Sequence, residues 1–277
     1  MGYYKLNFWI RKGSVSVDFL ECSGKVALVT GGAQGIGAAV VQALATRGMM
    51  VAAIDYNAEK LNGYVNELKS QRLDVYAFPA DVSDSHAIIS IVDEIERDIG
   101  PIEILVNVAG VLCTGMIESF SDQDWAKTFA VNSTGVFNVS RSVSKYMITR
   151  KRGSIVTVGS NAASVPRISL AAYAASKAAA VMFTKCLGLE LAKYNIRCNI
   201  VSPGSTDTEM QWSMWNDEIG EQDVINGMPE TFKVGIPLNK IAMPSDIVDA
   251  ILFFISNQSN HITMSNLCVD GGATLGA

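Results

Sequence analysis

Residues 25–45 read KVALVTGGAQGIGAAVVQALA, and this stretch decides the fold of the chain. Residues 26–29 form an apolar run typical of a strand, and residues 30–37 form a glycine-rich turn. Val40, Val41 and Leu44 then follow at the spacing of an apolar helix stripe. A strand, a glycine turn and a helix in this order point free backbone N–H groups and a positive helix end at a pyrophosphate. The stretch therefore predicts a dinucleotide site.

The glycines and the next strand indicate which dinucleotide binds. Gly31 and Gly35 would let the chain turn and the phosphates approach, and Gly37 would let the helix pack close to the strand. The next predicted strand, residues 50–54, ends in Asp55. An acidic residue roughly 20 positions beyond such a turn suits the ribose 2′-hydroxyl of NAD and repels the 2′-phosphate of NADP. NAD is therefore the predicted cofactor.

Composition narrows the function classes further. The chain has 277 residues, of which 49% are hydrophobic and 18% charged, with a net charge of −5. This length suits one α/β domain, and the scattered basic residues argue against a nucleic-acid partner. No uninterrupted apolar run reaches the ~20 residues that span a membrane. The 5 cysteines lack a C-x-x-C pair and only 2 histidines occur. We therefore expect reduced thiols, a cytoplasmic protein and no metal site.

Residues 1–18 do not continue this pattern. Their apolar part is too short for a signal peptide, and no small-residue cleavage site follows it. We expect an N-terminal extension that is disordered or added upstream of the domain, with an arm on a neighbouring subunit as the alternative. The domain itself is predicted to span residues 19–277.

From residue 25 onward, predicted strands and helices alternate. The predicted strands are residues 26–29, 50–54, 75–78, 102–106, 154–158, 197–201 and 267–269. This order predicts right-handed crossovers and one doubly wound parallel sheet of seven strands, with ligands at the carboxyl ends of the strands. Residues 205–235 have the least regular pattern and follow the sixth strand, so we expect them to form a mobile substrate lid.

Four side chains are candidates for the chemistry of the site. Tyr173 and Lys177 are four positions apart at the start of a predicted helix, so they share a face. A nearby ammonium favours a phenolate, which makes Tyr173 a candidate general base, although this spacing also occurs by chance on solvated helices. Ser160 follows the fifth strand, where it could hold a substrate oxygen or only cap a turn. Asn132 interrupts an apolar helix, where it could mark only a kink.

Together these motifs resemble the short-chain dehydrogenase/reductase family. The matches occur in family order over about residues 22–277, and they are Thr30-Gly31-x-x-x-Gly35-x-Gly37, Asp81-Val82, Asn107-x-Ala109-Gly110, Asn132, Ser160, Tyr173-x-x-x-Lys177 and Pro203-Gly204. Val108 departs from the pattern, because the family usually has a second Asn there. The resemblance implies a single-domain Rossmann fold, NAD-dependent alcohol oxidation and a homotetramer built through helices at 125–150 and 173–192 and the C-terminal strand.

The resemblance also implies a role for each matching residue. Tyr173 is expected to be the general base, and Lys177 to hold the ribose and lower the pKa of the tyrosine. Ser160 would position the reacting oxygen, and Asn132 would hold a water in a proton relay. Besides Tyr173 and Lys177, the expected cofactor contacts are Gly31, Gln34, Gly35, Ile36, Gly37, Asp55, Tyr56, Asp81, Val82, Asn107, Ala109, Gly110, Pro203, Gly204, Thr206 and Thr208.

Some stretches narrow the substrate class. Residues 195–211, 235–238, 261–264 and 269–276 are similar to those of family members that oxidise a carboxylated cyclic diol for siderophore synthesis. Such a substrate needs a cation, and Arg167 lies in the loop between Ser160 and Tyr173. A solvated loop arginine is the alternative reading. Met210 and Gln211 are expected to contact the substrate from the lid.

Two other functions stay open at this point. One is another NAD-linked alcohol dehydrogenase or ketoreductase of the same family. The other is a non-catalytic NAD-binding regulator, which the intact Ser160, Tyr173 and Lys177 argue against.

Overall fold

The computed structural model describes residues 23–215 and 220–276. The expectations for residues 1–18 lie outside the described residues and stay predictions. None of the described helices is long and apolar enough to cross a bilayer.

A seven-stranded parallel sheet forms the centre of the described chain. Its strands are β1 (Val26–Thr30), β2 (Met50–Asp55), β3 (Val75–Pro79), β4 (Ile102–Asn107), β5 (Gly153–Val158), β6 (Ile196–Pro203) and β7 (Asn266–Val269). Their order across the sheet is β3-β2-β1-β4-β5-β6-β7, with every neighbouring pair parallel. The predicted doubly wound sheet is confirmed.

Helices cover both faces of this sheet. Those of the described residues are α1 (Gly35–Ala45), α2 (Ala58–Ser70), α3 (Ser85–Glu94), α4 (Asp122–Phe129), α5 (Val136–Arg150), α6 (Ala171–Leu191), α7 (Glu209–Trp212), α8 (Glu221–Asn226) and α9 (Pro244–Ile255). Helices α1, α2 and α9 build one core, and α3, α5 and α6 build the other. Because both faces are covered, β1 is buried along its whole length, as expected for a central parallel strand.

Local signals in the sequence set several helix boundaries. Asn57 caps α2 by accepting a hydrogen bond from the Lys60 backbone N–H at 3.0 Å. At the start of α4, the Ser121 hydroxyl accepts from the Asp124 backbone N–H at 3.0 Å and donates to its carboxylate at 2.8 Å. The helical region expected at residues 125–150 is divided between α4 and α5 by a wider turn, Ala130–Gly135.

The strand order places the ligand crevice. Connections from β1 run toward β3 on one side, whereas connections from β4 run toward β7 on the other. Diverging connections leave an open crevice at the carboxyl ends of β1 and β4, where α/β proteins of this type bind ligands.

Candidate active site

A cavity of about 760 Å³ occupies this crevice. It is lined by the glycine turn after β1, the loops that follow β2 to β5, the first turns of α6, and parts of residues 203–236. Of the site residues predicted from the sequence, all except Asn107 and Asn132 line this cavity.

The glycine turn has the shape that a diphosphate requires. Gly31 has a φ of +69°, and a Cβ there would lie 2.8 Å from the Ala109 backbone. A Cβ on Gly37 would collide with the Gly31 carbonyl oxygen. Helix α1 begins at Gly35 without a side-chain cap from Gln34 and without an acidic residue in its first turn. The positive helix end is therefore open toward the cavity, and it fits the diphosphate of a nicotinamide dinucleotide.

Asp55 is fixed beside the glycine turn by two backbone N–H groups. Its Oδ2 accepts a hydrogen bond from Ala33 at 3.0 Å, and its Oδ1 accepts one from Asn57 at 2.9 Å. The carboxylate is thus held at the end of β2, where a ribose hydroxyl could donate to it and a 2′-phosphate would be repelled.

Tyr173, Lys177 and Ser160 meet at the centre of the cavity wall. Lys177 Nζ donates a hydrogen bond to the Val158 carbonyl oxygen at 2.9 Å and lies 5.9 Å from the centroid of the Tyr173 ring. Ser160 comes two residues after β5, and its hydroxyl is within hydrogen-bonding reach of the phenol. One helix face and one strand end therefore bring the three candidate residues together.

Burial changes the proton affinities of this centre. Burial raises the pKa of Tyr173, and the hydrogen bond with Ser160 lowers it in part. Burial also lowers the pKa of Lys177 to about 8. The lowering of the Tyr173 pKa expected from Lys177 is thus opposed by desolvation of the phenolate. A further positive charge close to the phenol would be needed to make Tyr173 a base at neutral pH.

Asn132 lies behind the site and is fully buried. Its Oδ1 accepts a hydrogen bond from the Val111 backbone N–H at 2.8 Å. Its Nδ2 donates to the Val111 carbonyl at 2.9 Å and to the Ser176 hydroxyl at 3.0 Å. The side chain therefore supports the loop after β4, within the wider helical turn Ala130–Gly135. Both polar atoms of the amide thus bind protein groups. The expected role of Asn132 in holding a water stays a prediction.

Asn107 does not line the cavity, and its expected contact with the cofactor stays a prediction. It is buried and donates a hydrogen bond from Nδ2 to the Ser140 hydroxyl at 3.0 Å, which joins β4 to α5. Instead, the backbone that follows it lines the cavity. Thr30 Oγ1 accepts hydrogen bonds from the N–H groups of Val108 and Ala109 at 3.0 and 3.2 Å. Because the backbone is what is held, Val108 can replace the usual Asn.

The described part of the predicted lid borders the cavity. Helix α7 is capped by Thr208, whose hydroxyl accepts a hydrogen bond from the Gln211 N–H at 3.3 Å. Met210 and Gln211 both face the cavity. The location of the segment agrees with a lid, and its mobility stays a prediction.

A polar contact joins this segment to the glycine turn. Lys60 of α2 forms an ion pair with Glu209 of α7 at 2.8 Å and donates to the Gln34 side chain at 2.9 Å. Both charged side chains are about half exposed, so the pair adds little to stability and serves to link α2, α7 and the turn.

The cavity also contains a cation that sequence reasoning missed. Arg167 lines the cavity as expected, and Lys233 lines it from the irregular segment. Burial lowers the pKa of Lys233, and the nearby Arg167 guanidinium lowers it further. No motif marks Lys233, because only the folding of its loop brings it near Arg167. Apolar side chains from the same segments also line the cavity, and they are Leu170, Met214, Val224, Val234 and Ile236.

The described residues hold no cluster of three or more His, Cys, Asp or Glu side chains suited to a metal ion.

Comparisons with known proteins agree with this geometry. The family model described as short chain dehydrogenase matches residues 25–219. The chain is 68% identical over 253 residues to the 2,3-dihydro-2,3-dihydroxybenzoate dehydrogenase of Bacillus subtilis (strain 168), covering 91% of this chain and 97% of the relative. It is 40% identical over 258 residues to the protein of the same name in Escherichia coli (strain K12), covering 93% and 100%.

Two solved structures share the fold. A gluconate 5-dehydrogenase from Burkholderia cenocepacia J2315, in complex with NADP and tartrate, has a TM-score of 0.84 and 30% identity over 91% of this chain and 96% of that one. A 3-oxoacyl-[acyl-carrier protein] reductase with bound NAD from Brucella melitensis has a TM-score of 0.79 and 28% identity, with 90% and 91% coverage. One of these neighbours was solved with NADP and the other with NAD. The chain is therefore an oxidoreductase that belongs to the short-chain dehydrogenase family.

Proposed function

We propose that this enzyme works in the cytoplasm and oxidises 2,3-dihydro-2,3-dihydroxybenzoate to 2,3-dihydroxybenzoate with NAD, as a step of catecholate siderophore synthesis. The observation that carries the proposal is the 68% identity, over 91% of the chain, to a dehydrogenase of that name. The cavity supports it independently, because cations and apolar side chains line the same space as the candidate base, Tyr173.

The glycine turn and Asp55 would hold the dinucleotide, and Asp55 is the reason to propose NAD instead of NADP. When bound, the oxidised nicotinamide ring would supply a hydride acceptor and a positive charge. Thr206 and Thr208 line the cavity after β6, and in this proposal they would contact the nicotinamide amide.

Side chains of the protein would accept the proton of the substrate hydroxyl and stabilise the reacting oxygen. Tyr173 would accept the proton of the substrate hydroxyl as the hydride leaves the carbon that bears this hydroxyl. Ser160 would donate a hydrogen bond to the hydroxyl oxygen. Lys177 would hold the ribose and favour the phenolate through its charge. The resulting ketone tautomerises to an aromatic ring, which favours the product.

Arg167 would bind the substrate carboxylate. Its planar guanidinium matches a carboxylate in two parallel hydrogen bonds, and its loop is anchored at both ends by candidate catalytic residues, Ser160 and Tyr173. Met210 and Gln211 would cover the ring from α7.

The test is NADH formation with the dihydrodiol of benzoate, measured beside neutral alicyclic alcohols and sugar acids. We expect rapid NADH formation with the carboxylated diol and little with the others. NADH formation from a sugar acid or a simple alcohol, without activity on the dihydrodiol, would refute the proposed substrate in favour of another alcohol dehydrogenase. No turnover of any alcohol, with intact NAD binding, would favour the regulator.

We also propose a homotetramer. Large apolar side chains are exposed on the helices expected to form the subunit contacts, including Phe137 of α5 and Met182 and Leu189 of α6. Exposed apolar patches of this kind mark interaction surfaces. Light scattering should give the mass of four chains, and a monomer mass would refute the assembly.

A further inference from the structure

Two positive side chains that lie near each other line the cavity. Arg167 comes from the loop between β5 and α6, and Lys233 comes from the segment between α8 and α9. Both are partly buried. The salt bridges formed within residues 23–215 and 220–276 involve neither of them. Like charges in a partly desolvated site repel each other, and an anion bound between them would remove that repulsion.

A tight hairpin holds Lys233 in this position. Its N–H donates to the Met228 carbonyl at 3.1 Å, and the Met228 N–H donates to the Lys233 carbonyl at 2.9 Å. Gly227, with a φ of +92°, packs so closely that a Cβ there would lie 2.6 Å from the Lys233 carbonyl oxygen. The Ile236 N–H donates to the Ile225 carbonyl at 2.8 Å, which ties the hairpin to α8. The backbone of Lys233 is thus held by two hydrogen bonds with Met228 and by the close approach of Gly227.

The side chains around the two cations are apolar, and they favour an anion with a flat ring. Leu170 follows Arg167 in the same loop, and Val224, Val234 and Ile236 come from the segment that carries Lys233. Apolar walls favour the faces of a flat ring, whereas the cations favour a charged edge. A ring that carries one carboxylate satisfies both requirements, and a neutral diol satisfies only the first.

We propose that Lys233 recognises the substrate carboxylate together with Arg167, so that the two cations select a carboxylated ring over a neutral one. This inference rests on the proposed function and adds a specificity-determining residue to it.

The experiment measures binding by calorimetry in the presence of saturating NADH. The probes are 2,3-dihydroxybenzoate and its neutral counterpart catechol. The proteins are the wild type, Lys233→Met, Lys233→Arg and the control Lys240→Met, which removes an exposed lysine outside the cavity in the same segment. We expect Lys233→Met to weaken 2,3-dihydroxybenzoate about 10-fold and catechol less than about 2-fold, as expected for loss of one charged contact. Lys233→Arg should recover most of the affinity, and Lys240→Met should match the wild type.

Three results would overturn the inference. Unchanged binding of 2,3-dihydroxybenzoate to Lys233→Met would show that Lys233 does not contact the carboxylate. Equal losses for both probes would show that Lys233 only shapes the segment. Weaker binding of NADH itself would assign Lys233 to the cofactor phosphates. The proposed function fails separately, if the wild type does not oxidise the dihydrodiol even though it binds aromatic carboxylates through Lys233.

Discussion

Replacement of Lys177 with Met should abolish turnover and at the same time stabilise the fold. The lysine is only 5% exposed, and burial lowers its pKa from 10.5 to about 8. That change corresponds to about 3 kcal/mol against the protonated side chain at neutral pH. Loss of its hydrogen bond to Val158 would cost about 1 kcal/mol, and Met can fill the same space. We therefore expect the free energy of unfolding to rise by about 2 kcal/mol.

The effect of Lys177→Met on the free energy of unfolding should depend on pH, and its direction follows from the lowered pKa of Lys177. Since the folded pKa lies below the unfolded one, the unfolded chain binds more protons between pH 8 and 10.5. For this group, stability therefore rises with pH across that window, and the full penalty is present below about pH 8. Met has no proton to lose, so the stability advantage of Lys177→Met over the wild type should shrink as the pH rises from 8 to 10.5.

Urea unfolding without added dinucleotide, at one fixed protein concentration, is the assay. A matched control is Lys185→Met, which removes a lysine from the same helix outside the cavity and should not give this gain. If Lys177→Met is less stable than the wild type at pH 7, or if its effect does not change with pH, the inferred cost of the buried ammonium is wrong.

Three further predictions concern the reaction. Wild-type kcat/KM should favour NAD over NADP, and Asp55→Ala should remove about 1–3 kcal/mol of that preference; equal efficiency of the wild type with both cofactors would contradict the role of Asp55. Tyr173→Phe should lose nearly all turnover yet retain NADH binding in a fluorescence titration, and substantial turnover would rule out the phenol as base. Because Tyr173 accepts a proton only as the phenolate, kcat for oxidation should increase with pH until the phenol is ionised, and a flat profile would argue against this assignment.

The sheet could be predicted because its signals are local. The central strands β1, β4 and β5 are short apolar runs that are largely buried, and connections carry local signals such as the Asn57 cap before α2. The differences occur at the ends of elements. Strand β6 continues two residues past its predicted end to Pro203, because its pairing with β7 extends to Val269. That pairing joins distant parts of the chain, which no local pattern reports.

The two Asn residues show where motif reasoning stops. Asn107 and Asn132 belong to the motifs that identify the family, yet neither side chain lines the cavity. The Asn107 amide binds the Ser140 hydroxyl and joins β4 to α5, whereas the Asn132 amide binds the Val111 backbone, so both side chains support the structure around the site. A residue type in a motif thus identifies a position, but it does not show whether the side chain contacts a ligand or supports the surrounding structure.

The proposed dinucleotide part and substrate part of the cavity differ in whether backbone groups or long side chains build them. The first is built by backbone groups of short turns, whose requirement for glycine is visible in the sequence, as at Gly31. The second is built by long side chains such as Arg167 and Lys233, which come from distant loops that meet only in the folded chain. A lysine in an irregular segment carries no spacing signal, so the sequence could predict the cofactor site in detail and only one of the two cations. Substitutions at Arg167 and Lys233 should accordingly change substrate choice and leave the dinucleotide site intact, because neither residue belongs to the glycine turn.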